Sequence, residues 1–134
     1  MNTQSILKSA GAASIALMMT ALSANAAGHI GAPKTIQASN GKSYLADNHD
    51  MTLYVFDKDK KNTSNCYDGC AKKWPPLMGK KGMNLPKGYD LIERKGGEMQ
   101  IAYKGQPLYL WFKDKKPGDM SGDGVKGVWR TARP

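Results

Sequence analysis

The chain of 134 residues is poor in the side chains most enzymes rely on, with two histidines, two cysteines and 11 acidic residues against 20 basic ones. With so few histidines, one of them (His29) near the start, no Ser-His or Cys-His set for nucleophilic catalysis can be assembled. No phosphate-cradling glycine loop or dinucleotide fingerprint occurs. Asp57 and Asp59 point to one side of a strand, yet they stand among lysines, which hold carboxyl pKa values down where an acid catalyst needs one raised. The expectation is a protein that is not an enzyme and carries no cofactor.

Long apolar runs are also scarce. The one that exists, Ala10 to Leu22, lies in the opening stretch "MNTQSILKSAGAASIALMMTALSANAAG", after a single cation, Lys8, and before the small residues Ala24 to Ala26. That order reads as a secretory signal peptide over 1–26, and the run is too short to span a bilayer. No cysteine stands directly after the expected cleavage site, so a lipid anchor is expected to have no acceptor. A periplasmic or secreted protein is expected, with no transmembrane segment after cleavage.

What is abundant is positive charge, +9 in all. Such an excess favours acidic envelope components or an acidic protein as partner, and export argues against nucleic acid. The residues at 27–35 are Gly-, Ala- and Pro-rich and read as a flexible lead-in to one domain over 36–134. Alternating or β-branched runs closed by turn residues predict strands at 36–38, 42–47, 51–57, 89–94, 98–103, 107–112 and 126–131. One helical turn is predicted over Cys66 to Lys73, stopped by the prolines of "WPP". The fold class is mostly all-β, an antiparallel meander closing into a small sandwich or barrel.

The chain also repeats itself. "LYVFDKD" from Leu53 returns as "LYLWFKD" from Leu108, and Tyr54 precedes Trp74 by the same twenty residues that separate Tyr109 from Trp129. Upstream, "YLADNHDMTLY" answers "QIAYKGQPLY" with one residue inserted. This spacing marks a tandem duplication, repeat 1 at about 36–80 and repeat 2 at about 89–134, neither closing a core alone. Side chains two apart share a strand face, so Tyr54 and Phe56 oppose Leu53 and Val55, while Tyr109 and Trp111 oppose Leu108, Leu110 and Phe112. Asp59 and Asp114 then cap the loops that follow. The repeat motif is therefore Tyr54, Phe56, Asp59 and Trp74, matched by Tyr109, Trp111, Asp114 and Trp129.

"YVFDKD" and "YLWFKD" both fit Y-x-[FWY]-x-x-D, and "CYDGCAKKWPPL" and "PGDMSGDGVKGVW" accompany them. On these segments the chain resembles the bacterial secreted-repeat family labelled as predicted lipoproteins with a Yx(FWY)xxD motif. The resemblance implies an exported protein with tandem copies; it implies no particular activity.

Cys66 and Cys70, an even count in an exported chain, predict a disulfide that stabilises by only about 2 kcal/mol because its ring is small. Asp119, Ser121 and Asp123 imitate the start of a calcium loop, but Arg130 stands where the bidentate glutamate belongs. His49 and Met51 beside a turn are weak copper candidates. The reading is an exported, non-catalytic envelope module, ligand-binding or structural. The alternative is a small periplasmic metal-binding or redox protein using copper or calcium.

Overall fold

The computed structural model describes residues 30–134, so the signal peptide and the first residues of the lead-in lie outside the described part. Short strands with one helical turn follow each other: β1 Lys34–Gln37, β2 Ser43–Ala46, β3 Tyr54–Phe56, α1 Gly69–Lys73, β4 Met78–Gly79, β5 Tyr89–Glu93, β6 Met99–Tyr103, β7 Gln106–Pro107, a 3₁₀ turn at Val125–Gly127, and β8 Trp129–Thr131. All pairings are antiparallel: β1 with β2, β3 with β8, and β6 with β4, β5 and β7. The all-β expectation holds, in several small sheets and without a closed barrel.

The duplication is visible in the register. In the first hairpin Lys34 faces Ala46 and Ile36 faces Tyr44; in the second Asp90 faces Ala102 and Ile92 faces Gln100. Each hairpin then closes a ring of three backbone bonds. Leu53 N donates to Leu45 O, Leu45 N to Ala132 O and Ala132 N to Leu53 O, at 3.0, 2.9 and 2.8 Å. The counterpart runs from Leu108 N to Ile101 O, Ile101 N to Leu77 O and Leu77 N to Leu108 O, at 3.1, 2.8 and 2.9 Å. Leu77 ends the first repeat and Ala132 the second. The tail of each repeat therefore completes the sheet of the other, and the two halves are exchanged. At the centre, Tyr54 and Tyr109 trade N–H to C=O bonds of 2.8 and 3.0 Å, which places an approximate twofold axis between them.

The alternation of the doubled phrase sorts the interior into two clusters, each drawing on both halves. Leu53, Val55 and Leu108 join Leu45, Leu77, Ile101 and Ala132 in an aliphatic cluster, and Leu110 packs on it. Tyr54, Tyr109, Trp74 and Trp129 form an aromatic one with Cys66, and Phe56 and Trp111 pack against it. Burying each of these large side chains contributes roughly 2 to 3 kcal/mol. Phe112 departs from the expected pattern. It is 43% exposed, its ring set edge-on to Trp111 at 5.0 Å, because the chain turns at 112–114 before a further strand residue can reach the interior.

Three predicted strands are shorter than their sequence suggests: over 51–57 only Tyr54–Phe56 form a strand, with Thr52 in an isolated bridge to Ala46. Over 107–112 only Pro107 lies in a ladder, although Leu110 N still donates to Pro75 O and Phe112 N to Lys73 O. The facing prolines, Pro75 and Pro76, have no N–H to return, so a regular ladder cannot form. Over 126–131 the first residues coil into the 3₁₀ turn, with Lys126 and Gly127 at φ 54° and 69°, and only Trp129 to Thr131 extend. The helical turn is confined to Gly69–Lys73 and stops at Trp74 and the prolines, as expected. No helix of the described residues is long and apolar enough to cross a membrane.

Candidate functional site

The tyrosine and aspartate of each repeat do not serve each other; they serve the other copy. Tyr54 O–H donates to Asp114 Oδ2 and Tyr109 O–H donates to Asp59 Oδ2, both at 2.6 Å. The remaining carboxylate oxygens cap the following loops as predicted. Asp59 Oδ1 accepts Asn65 N at 2.6 Å, and Asp114 Oδ1 accepts Ser121 N at 3.0 Å and Ser121 Oγ at 2.7 Å. Each aspartate thus ties its own loop to the neighbouring repeat's strand.

Around Tyr109 the network is extended by a buried cation that sequence reasoning missed. Arg94, 5% exposed, donates to Ser64 Oγ, Gln100 Oε1 and Cys66 O at 2.9, 2.8 and 2.7 Å, and its guanidinium lies 4.2 Å from the Tyr67 ring centroid. Ser64 Oγ in turn meets Tyr109 O–H at 2.6 Å. A charge this deep has to be compensated, and these three bonds, with the Tyr67 ring against the guanidinium, do so. The only sequence signal was an arginine ending the apolar strand that begins at Tyr89.

Burial dominates the titration of these groups. It raises the Asp59 carboxyl above its ordinary value, against the bonds from Tyr109 and Asn65 and the nearby Arg94 charge. The expectation of a lowered value beside the lysines is overturned for Asp59, where burial outweighs the two hydrogen bonds and the Arg94 charge. Burial, together with the hydrogen bonds to the aspartates, lifts the hydroxyls of Tyr54 and Tyr109 far above the tyrosine range, and burial pushes Tyr89 up to about 12. A folded pKa above the unfolded one gives stability that is complete below the unfolded value, about 10, and lost as pH rises beyond it. Stability is thus expected to fall above pH about 10 by roughly 1.4 kcal/mol per pH unit for each of Tyr54 and Tyr109. Guanidinium melts across alkaline pH with tyrosinate absorbance check this. Ionisation of every tyrosine near its ordinary pKa in a still-folded protein would refute it.

The rings of the motif build a column. Phe56 stacks on Trp129 at 4.3 Å and Trp129 on Trp74 at 3.7 Å and 4°, while Trp74 lies against Trp111 at 3.9 Å with the planes tilted by 31°. Tyr54 meets Trp74 edge-on at 5.4 Å, and Tyr109 meets Trp129 likewise at 5.1 Å. Gly122 lets the column close: a Cβ there would come within 2.9 Å of both Trp111 and Trp74. The Trp111 indole N–H is buried and has no acceptor among the described residues.

Alongside the column runs a cleft of about 380 Å³, walled by its four rings. Lys58, Lys73 and Lys126 stand at its rim, exposed, and none of them forms an ion pair among the described residues. Cys70 also lines it, joined to Cys66 in the predicted disulfide with Cα atoms 5.3 Å apart. A second cleft of about 460 Å³ carries Lys60, Lys61, Lys104 and Arg130, but Arg130 is paired with Asp57 at 2.6 Å. Its lysines are also free of ion pairs among the described residues, but Asp57 and Asp59 line it beside them, whereas the aromatic cleft has cations and no carboxylate in its lining.

The metal candidates do not converge. Asp119 accepts Lys115 N, Lys116 N and Lys116 Nζ, Ser121 is bonded to Asp114, and Asp123 accepts Thr131 N. His49 leans on Asn48 at 3.3 Å, and Met51 donates its N–H to Asp47. Among the described residues no three His, Cys, Asp or Glu side chains come together.

Two exchanged β repeats around a shared aromatic column define a protein built by internal duplication. Residues 34–78 and 90–133 each match a family described as a secreted repeat of unknown function, and the chain belongs to that family. Membership puts its working location outside the cytoplasm, in the envelope or beyond. No curated protein matches the chain, and no solved structure does.

Proposed function

We propose that this is an exported, non-catalytic module that binds anionic material in the periplasm. One observation carries the reading: four motif rings wall a cleft whose three rim lysines have no partner among the described residues. The absence of catalysis is supported by how the polar groups are used. Tyr54, Tyr109, Asp59 and Asp114 are tied to one another and to their loops, leaving none free to move a proton to a substrate. Apolar walls supply contact area, while uncompensated cations select for negative charge and draw it in over a distance that salt shortens.

Protein isolated from its own periplasm and analysed by native mass spectrometry is expected to carry a small anionic adduct that high salt removes. Tryptophan emission should shift on release, since Trp74 and Trp129 wall the cleft. Protein that emerges bare, and whose emission no anionic envelope extract alters, would end the reading.

A further inference from the structure

The aromatic cleft lies across the approximate twofold axis, and its lining shows where the two repeats have diverged. Phe56 corresponds to Trp111 and Trp74 to Trp129, so the ring walls keep the symmetry. The lips do not. Lys73 in the first repeat corresponds to Val128 in the second, and the disulfide-bonded Cys70 to Val125. Each lip carries a lysine, but at a different place: Lys73 on the first, and on the second Lys126, where the first repeat has Ala71.

The polar side chains are as informative by type. Apart from the indole N–H groups, those lining the cleft are the three lysines; no Asp, Glu, Asn, Gln, Ser or Thr lines it. A saccharide presents hydroxyls on every side, and sites that hold sugars must meet them with hydrogen-bonding side chains or leave them unsatisfied at about 1 to 3 kcal/mol each. A flat aromatic molecule makes no such demand. Its faces and edges suit ring walls, and a single anionic group suits lysines held beside them.

Lys126 supplies an independent observation. It sits at φ 54°, ψ 14°, a left-handed conformation, between Gly124 and Gly127, both at positive φ. Backbone there costs a side-chain-bearing residue on the order of 1 kcal/mol, and glycine nothing. A lysine held in a glycine's conformation at the rim of a cleft is strain located where a ligand would be gripped.

Resting on the binding reading above, we infer that the cleft is a site for a flat, fused-ring aromatic anion, its rings set against the tryptophan walls and its charge held by Lys73 and Lys126. Anthraquinone sulfonate is the probe, with neutral hydroxymethyl anthraquinone and oligogalacturonate as comparisons, each titrated by calorimetry into the intact protein. The sulfonate is expected to bind one-to-one, several-fold tighter than the neutral compound, with quenching of tryptophan emission. Lys126→Gly should weaken it by about 3- to 5-fold, the effect of removing one partly screened charge. The same substitution should leave the melting temperature unchanged or raise it, which a lysine retained for structure would not allow. Lys73→Ala should weaken binding by a similar factor.

If oligogalacturonate binds and the sulfonate does not, the anion-binding module stands and the aromatic ligand falls. If neither binds, both fall. Sulfonate affinity unchanged in both lysine variants would place the probe elsewhere on the surface and overturn the site.

Discussion

Cut between Gly82 and Met83, the protein is expected to yield two fragments that do not fold alone but assemble one-to-one when mixed. The reason is the exchange of tails. Without the second repeat, Leu77 loses its backbone partners Leu108 and Ile101; without the first, Ala132 loses Leu53 and Leu45. Tyr54 is then left without Asp114, Tyr109 without Asp59, and Trp74 without Trp129 and Trp111. Both hydrophobic clusters are halved, since each takes residues from both sides of the cut. Fragments of this size sit at the edge of what one core can support even when the core is whole. The expected loss is the entire folding free energy, about 5 to 15 kcal/mol for an ordinary domain. Near-ultraviolet circular dichroism reports it, because the aromatic signal requires rings from both fragments. A fragment that melts cooperatively as a monomer would contradict the exchanged architecture.

Trp74→Ala is expected to destabilise the intact protein by about 3 to 5 kcal/mol, the range for deleting a large buried ring. Trp74 is 4% exposed and lies between Trp129 and Trp111, with Tyr54 edge-on, so its removal opens a void in the middle of the column. Neighbours cannot collapse into it cheaply. Tyr54 is tethered by its bond to Asp114, and the Trp74 backbone is held by its bond to Cys70 O at the end of α1. Phe112→Ala serves as the control: a ring 43% exposed should cost well under 1 kcal/mol, or about the ±0.5 of an ordinary surface change. Guanidinium midpoints with constant slopes decide it. A Trp74→Ala variant within about 1 kcal/mol of the parent would show that the column is not a packing element.

Much of this was legible from spacing. The matched intervals from Tyr54 to Trp74 and Tyr109 to Trp129 reveal a duplication, and alternation separates Leu53 and Val55 from Tyr54 and Phe56 onto the two clusters where they lie. The helix stop at Trp74 and the disulfide also follow from local chemistry. What alternation cannot report is which repeat a side chain will meet, because that depends on pairing between distant segments. One clue was present. A tyrosine and an aspartate five residues apart in extended chain stand roughly 16 Å from each other, too far for the motif to bond within itself. Two copies of a motif that cannot close internally point to closure between copies. Arg94 was illegible for another reason: its polar partners Ser64 and Gln100 come from both repeats, and no local pattern joins them. The tail strand β4 was missed because two residues before a run of glycine and lysine carry too little alternation to read.

The exchange of tails also bears on how far the two halves can differ. A half-length chain of this design would have to find its complement in another molecule, so the single chain has the layout of a homodimer joined end to end. In a homodimer any substitution appears on both sides of the axis at once. In one chain each side can differ, and the disulfide at Cys66 and Cys70, the lone Arg94 and the Lys73 to Val128 mismatch are such differences. Joining the halves gives a self-matching surface a left and a right.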